Sequence, residues 1–251
     1  MTHAHLDFGY PWWLSSGHLV VFGCAVLALV GAIVFKWRRS LLILLAVLAA
    51  WAGASALVVR AIDINGVPAL PTERFLPSGR GVVLDLGAGT GRSSIMVLHA
   101  RPNATVVASD LFGASFERHF GPDGRPQDRL RTNLEIAGVN GRATIETADM
   151  RQLPFASERF DAVVSAYAMD HLGREGARQA LGEAHRVLKP GGDFLLSLVE
   201  DDWWTRLLFG PMLAHGGTYG ANWWRQAATG AGFRVLEEGT QPATAYYLMQ
   251  R

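Results

Sequence analysis

The sequence predicts an α/β chain: an open, largely parallel sheet with helices on both faces, preceded by two transmembrane helices. Three observations carry this. Val82–Gly91 reads Val-Val-Leu-Asp-Leu-Gly-Ala-Gly-Thr-Gly, a short apolar strand running into a glycine turn that opens a helix. Beyond it, short strand-like runs alternate with helix-like stretches up to the C-terminus. Ahead of it, Leu14–Phe35 and Leu41–Val59 are runs of 22 and 19 residues without Asp, Glu, Lys or Arg.

The hairpin comes first in the chain. At ~1.5 Å per residue, each run is long enough for a hydrocarbon core of roughly 30 Å. Both runs are apolar all round, and neither has the basic start or the small-residue cleavage site of a signal peptide. Trp12, Trp13, Trp37 and Trp51 supply aromatic residues of the kind found at membrane interfaces. Residues 1–60 are therefore expected to form a membrane hairpin, residues 61–80 (with Pro68, Pro71 and Pro77) a linker, and residues 81–251 the soluble domain.

Charge and cysteine usage narrow the function. Residues 1–60 carry Lys36, Arg38, Arg39 and Arg60 against Asp7 alone, a net +3, and the remainder is −2. A domain this near neutrality has no electrostatic footprint for nucleic acid. The single Cys24 excludes a disulfide framework and a cysteine zinc site, and no metal site is expected.

In the soluble domain, Gly81–Leu86 is the first strand. The glycines at 87, 89 and 91 suit backbone that takes φ > 0 or lies against a ligand. A dinucleotide fingerprint would read G-x-G-x-x-G; here the third glycine comes one residue early. Asp85, two residues before the first glycine, would repel a pyrophosphate and suits a ligand with cationic groups. S-adenosylmethionine is one, with a sulfonium, an ammonium and no phosphate. Arg92–His99 starts a helix that Pro102 and Asn103 close, and Thr105–Ser109 is the second strand. Asp110 at its tip is placed to accept both hydroxyls of a ribose, in a dinucleotide or in S-adenosylmethionine.

Gly113–Gln127 is a long glycine-rich insertion, Asp128–Ala137 a helix and Ala143–Thr147 the third strand. Phe160–Ala166 is the fourth strand. Its carboxyl end delivers Tyr167 to His171 to the rim where open α/β sheets bind ligands. Gly173–Leu188 is an amphipathic helix stopped sharply at Lys189-Pro190-Gly191-Gly192, and Asp193–Val199 is the fifth strand. Phe233–Glu238 and Ala243–Met249 make a final hairpin.

Four features in order resemble the class I S-adenosylmethionine-dependent methyltransferases, specifically the ubiquinone/menaquinone type. They are Asp85–Gly91, Asp110, Asp149-Met150, and Phe160-Asp161 with Arg-Val-Leu-Lys-Pro-Gly-Gly at 186–192. The resemblance covers most of residues 81–200. It implies a Rossmann-like seven-stranded sheet with an antiparallel last strand, and S-adenosylmethionine as cofactor with S-adenosylhomocysteine as product. The implied cofactor contacts are Asp85, Gly87, Ala88, Gly89, Gly91, Asp110, Leu111, Asp149, Met150 and Ser165, with Asp149 meeting the adenine amino group and Met150 packing on its ring.

Methyl transfer from a sulfonium is an in-line displacement that needs the acceptor held in line. An acceptor hydroxyl or thiol also needs a base; His171, oriented by Asp170, is the candidate, with His215 in reserve. Glu200–Gln226 departs from the compact family pattern. Its Trp203, Trp204, His215 and Tyr219, with Tyr167, are candidate acceptor contacts, read either as an aromatic lid or as a membrane-facing surface. The expectation is an integral membrane methyltransferase acting on a hydrophobic small molecule such as a quinone, lipid, phenol or thiol. A tethered S-adenosylmethionine-binding module and a protein methyltransferase are the alternatives. Because the cofactor is cytoplasmic, the domain is expected on the cytoplasmic side. The basic turn at 36–39, which tends to stay there itself, conflicts with a spanning hairpin unless it is exposed on the far side or the hairpin dips into one leaflet.

Overall fold

The computed structural model describes residues 5–113, 116–117, 126–200, 202–209 and 219–251. They fall into two compact units: Gly9–Gly66, and a sheet domain that joins the residues up to Phe8 to Val67–Arg251.

The first unit is a pair of helices, α1 (Trp12–Val34) and α2 (Arg39–Ile62). Small residues line their contact, with Ala25 and Ala32 on α1 and Ala49, Ala52 and Ser55 on α2 buried. Such residues let two backbones approach closely. His18 packs edge-on against Trp51, at 5.5 Å between ring centroids. Both helices are long and apolar enough to cross a membrane, and only 11% and 22% of their most apolar windows are buried. A helix pair hidden in a soluble core would bury most of that surface.

The sheet domain contains seven strands in the order β3-β2-β1-β4-β5-β7-β6. These are β1 (Arg80–Leu86), β2 (Asn103–Asp110), β3 (Ala143–Thr147), β4 (Phe160–Ala166), β5 (Leu188–Val199), β6 (Arg234–Gln241) and β7 (Thr244–Gln250). The first five pair in parallel, and β7 runs antiparallel between β5 and β6. The order reverses between β1 and β4, which places a ligand crevice above their carboxyl ends.

The helices of this unit are α3 (Arg92–Ala100), α4 (Pro126–Ile136), α5 (Gly173–Val187), α6 (Trp203–Phe209) and α7 (Ala221–Gly230). The helical period of α5 buries Ala177, Ala180, Leu181, Ala184 and Val187 against the core. Strands β1 and β4 are covered on both faces, so Val83, Leu84, Leu86, Val163 and Val164 are wholly buried.

Several expected boundaries shift. Asn103 opens β2 instead of closing the helix before it. The Lys189–Gly192 stop falls inside β5 as an irregularity: Leu188 pairs with Phe160 and Asp193 with Ala162, and between them Gly191 turns through φ 77°. Arg186 donates to the carbonyls of Leu153 and Phe155, and Lys189 pairs with Asp161 at 2.6 Å. Asp161 also accepts the amide of Val82 at 2.8 Å. The family-like Arg186–Gly192 stretch thus laces strands together. Of the insertion after β2, Phe116 is buried and lies 5.5 Å from Phe112, ring to ring, and most of the rest falls outside the described residues.

The stretch expected as a linker is partly docked. Arg101, 7% exposed, donates to the carbonyls of Glu73 (2.8 Å) and Phe75 (2.9 Å) and pairs with the Glu73 carboxylate (3.0 Å). The amide of Leu76 donates to Asp193 at 2.9 Å. Arg101→Met keeps the apolar stem and strands those carbonyls, so about 2–3 kcal/mol of stability should be lost. Thermal unfolding checks this, together with faster proteolysis within residues 67–79.

Candidate active site

Four chain segments meet at the carboxyl edge of the sheet. After β1, the backbone turns through Gly87 (φ 74°), Gly89 (φ 53°) and Gly91 (φ 98°). The amides of Gly87 and Ala88 both donate to the carbonyl of Ser109, at 2.8 and 3.0 Å, which folds the turn over the end of β2. A Cβ at position 87 would lie 2.3 Å from the Ala168 Cβ and 3.0 Å from the Met150 Cε. Only glycine lets the segments after β1, β3 and β4 come this close.

Asp85 is wholly buried beneath this turn. Its Oδ2 accepts hydrogen bonds from Ser93 (2.7 Å) and Ser94 (2.6 Å) in the first turn of α3. Its Oδ1 has no hydrogen-bond partner among the described residues. Burial pushes its pKa up to about 6, the charge of Asp110 adds to the rise, and the two serine hydroxyls oppose it.

Asp110 ends β2 with its carboxylate fixed by two backbone amides, Gly89 to Oδ2 at 2.9 Å and Phe112 to Oδ1 at 3.1 Å. Burial raises its pKa as well. Two desolvated carboxylates that repel one another across a glycine turn suit a ligand bringing positive charge and hydroxyl donors. The unpartnered Asp85 oxygen and the glycine cradle fit S-adenosylmethionine on those grounds. Asp85 would face its cationic groups, and Asp110 its ribose hydroxyls.

The remaining expected positions divide. Met150 reaches the turn at Gly87. Leu111 is 52% exposed beside Asp110. Asp149 is held in a fork by Arg151, at 2.9 Å to Nε and 2.6 Å to Nη2, which lowers its pKa. Any adenine contact at Asp149 must share the carboxylate with that guanidinium. The Ser165 hydroxyl is buried and donates to the Leu86 carbonyl at 2.8 Å, so it bonds β4 to β1.

Tyr167 sits at φ 54°, a strained setting for an aromatic residue, at the end of β4. Its amide donates to Ser197 and its hydroxyl meets the Thr244 hydroxyl at 2.6 Å. Next in the chain, Met169–Leu172 forms a 3-10 turn in which Asp170 is buried and His171 exposed. Trp203 and Trp204 stack at 4.3 Å on α6 and are 65% and 53% exposed. Tyr219 packs on Trp223 at 4.5 Å, with the Arg174 guanidinium 5.2 Å above its ring. His215 lies outside the described residues.

Sequence reasoning missed Ser93, Ser94 and Thr244. The serines had a signal, since the first turn of a helix after a glycine turn faces back toward the strand end. Thr244 had none, because only the strand order brings β7 beside β5.

Residues 83–192 match the family described as "Methyltransferase domain". The ubiquinone/menaquinone biosynthesis C-methyltransferase UbiE of Syntrophotalea carbinolica is 32% identical over 120 residues, 47% of this chain and 44% of that protein. The demethylmenaquinone methyltransferase of Thermus thermophilus is 35% identical over 111 residues, 44% of this chain and 43% of that protein. The chain thus matches less than half the length of these relatives. Among solved structures, an O-methyltransferase family protein from Burkholderia thailandensis shares the fold with a TM-score of 0.58 at 22% identity, over 82% of this chain and 60% of that one. Sheet order, glycine turn and family match agree: residues 83–192 match a methyltransferase domain, within a sheet that has the fold of the class I S-adenosylmethionine-dependent methyltransferases.

Proposed function

We propose that this protein is a membrane-anchored methyltransferase that modifies a hydrophobic small molecule. The observation that carries the reading is a pair of carboxylates, the buried Asp85 and the partly buried Asp110, around a glycine turn at the switch point of the sheet. The cofactor, when bound, supplies an electrophilic methyl group on a positively charged sulfur. Asp85 balances cationic charge, Asp110 orients the ribose, and Met150 packs on the adenine ring.

Tyr167, held by Thr244, and the stacked Trp203 and Trp204 offer apolar and phenolic surface to the acceptor. Where the acceptor is a hydroxyl or thiol, His171 takes its proton, and Asp170 in the same turn is the residue proposed to orient it. The two apolar helices and the exposed tryptophans support an acceptor drawn from the bilayer, with the domain on the cytoplasmic side where the cofactor is made.

Incubation of the detergent-purified protein with methyl-labelled S-adenosylmethionine and a host membrane extract tests this. Label is expected in the organic fraction and should be lost in Asp110→Ala. Label confined to protein or to the aqueous fraction contradicts the hydrophobic acceptor. Cofactor binding without transfer in every fraction favours a binding module.

A further inference from the structure

The two residues just ahead of the hairpin are built into the cofactor turn. Phe8 is 2% exposed, although residues 9–66 separate it from the rest of the unit it packs in. Its carbonyl accepts the Thr90 hydroxyl at 3.1 Å. Thr90 lies between the second and third glycines of the turn, adjacent to Gly89, whose amide orients Asp110. Asn133 of α4, 1% exposed, closes the arrangement. Its Nδ2 donates to the carbonyls of Thr90 (2.9 Å) and Asp7 (2.7 Å), and its Oδ1 accepts the Asp7 amide at 2.9 Å.

Each of these hydrogen bonds joins two members of the set, and Phe8, Thr90 and Asn133 are buried while Asp7 lies at the surface. A glycine turn has little stiffness of its own. One that must hold a carboxylate and a ligand in register gains it from neighbours. From this geometry we infer that Asp7-Phe8, Asn133 and Thr90 form a clasp that positions the cofactor turn, making the segment before the first apolar helix part of the methyl-donor site. Phe8 and Asn133 are positioning residues in this arrangement. The inference rests on the cofactor reading of the site.

The test measures S-adenosylmethionine binding by the full chain in detergent, by calorimetry, alongside the thermal unfolding temperature. Phe8→Ala and Asn133→Ala are expected to weaken binding roughly tenfold, and Phe8→Leu, which still fills the apolar space, to restore most of it. Thr90→Val is expected to weaken binding by a similar factor in the wild type and to add little in the Phe8→Ala background, because both changes break one link. Thr90→Ser, which keeps the hydroxyl, should bind normally.

Wild-type affinity in Phe8→Ala and Asn133→Ala would overturn the clasp. So would binding that tracks the unfolding temperature alone, without rescue by Phe8→Leu. Absence of binding by the wild-type protein would instead overturn the cofactor reading beneath it.

Discussion

Asp85→Asn is expected to make the ligand-free protein more stable and a poorer binder of S-adenosylmethionine. The buried carboxyl has its pKa pushed up to about 6 from 3.8, so the folded chain binds a proton more tightly than the unfolded one. Wild-type stability therefore falls, relative to a neutral side chain, as pH rises from about 4 through 6. Above that window the ionised group costs about 3 kcal/mol. Asparagine can still accept from Ser93 and Ser94 and carries no charge, so at pH 8 the variant should melt roughly 5–10 °C higher. At pH 4 the two proteins should melt together. Removing one side of a buried charge pairing should meanwhile weaken binding of the cationic cofactor on the order of 100-fold. Thermal unfolding at several pH values, with and without cofactor, reads both effects.

Gly87→Ala is expected to damage both fold and site. A side chain at φ 74° is strained by roughly 1 kcal/mol. The added Cβ would also sit 2.3 Å from that of Ala168, whose backbone belongs to the segment after β4. Overpacking of this kind costs about 1–3 kcal/mol, for a total of about 2–4 kcal/mol. To relieve it the turn must move off Met150 and Ala168, and cofactor affinity should drop more than tenfold. Ala168→Gly opens the space without changing the backbone angle, so the double variant should recover part of the stability and part of the binding. Equal losses in the single and double variants would show that the clash is not what matters.

What the sequence made legible was whatever short-range chemistry decides. The turn after β1 was readable because alternate glycines after an apolar run leave few other conformations. Helix α5 was readable because its apolar residues recur at the helical period. Asp110 followed from its place at a strand tip, and the seven-stranded sheet with its antiparallel last strand from the resemblance.

What stayed hidden depends on contacts between distant residues. Lys189-Pro190-Gly191-Gly192 reads as a helix stop, and the pairing of Leu188 and Asp193 with β4 on either side of it, with Lys189 reaching Asp161, depends on residues about 30 positions away. Asp149 reads as a contact for the adenine amino group, and nothing local shows that a short turn folds Arg151 back onto it. Tyr167 gives no hint of its positive φ, since nothing local asks an aromatic residue for it. Asp7 and Phe8 read as the approach to a membrane helix. Their partners Thr90 and Asn133 lie 82 and 126 residues away, beyond the reach of any local pattern.

The central claim is that Asp85 and Asp110 hold S-adenosylmethionine against the glycine turn. Equilibrium binding of labelled S-adenosylmethionine to the full chain, from pH 5 to pH 8, tests it most directly. Affinity should rise as pH passes about 6 and Asp85 ionises in the free protein. The rise should vanish in Asp85→Asn, and binding should be lost in Asp110→Ala. Affinity that is flat with pH in the wild type, or undiminished in Asp110→Ala, would contradict the account.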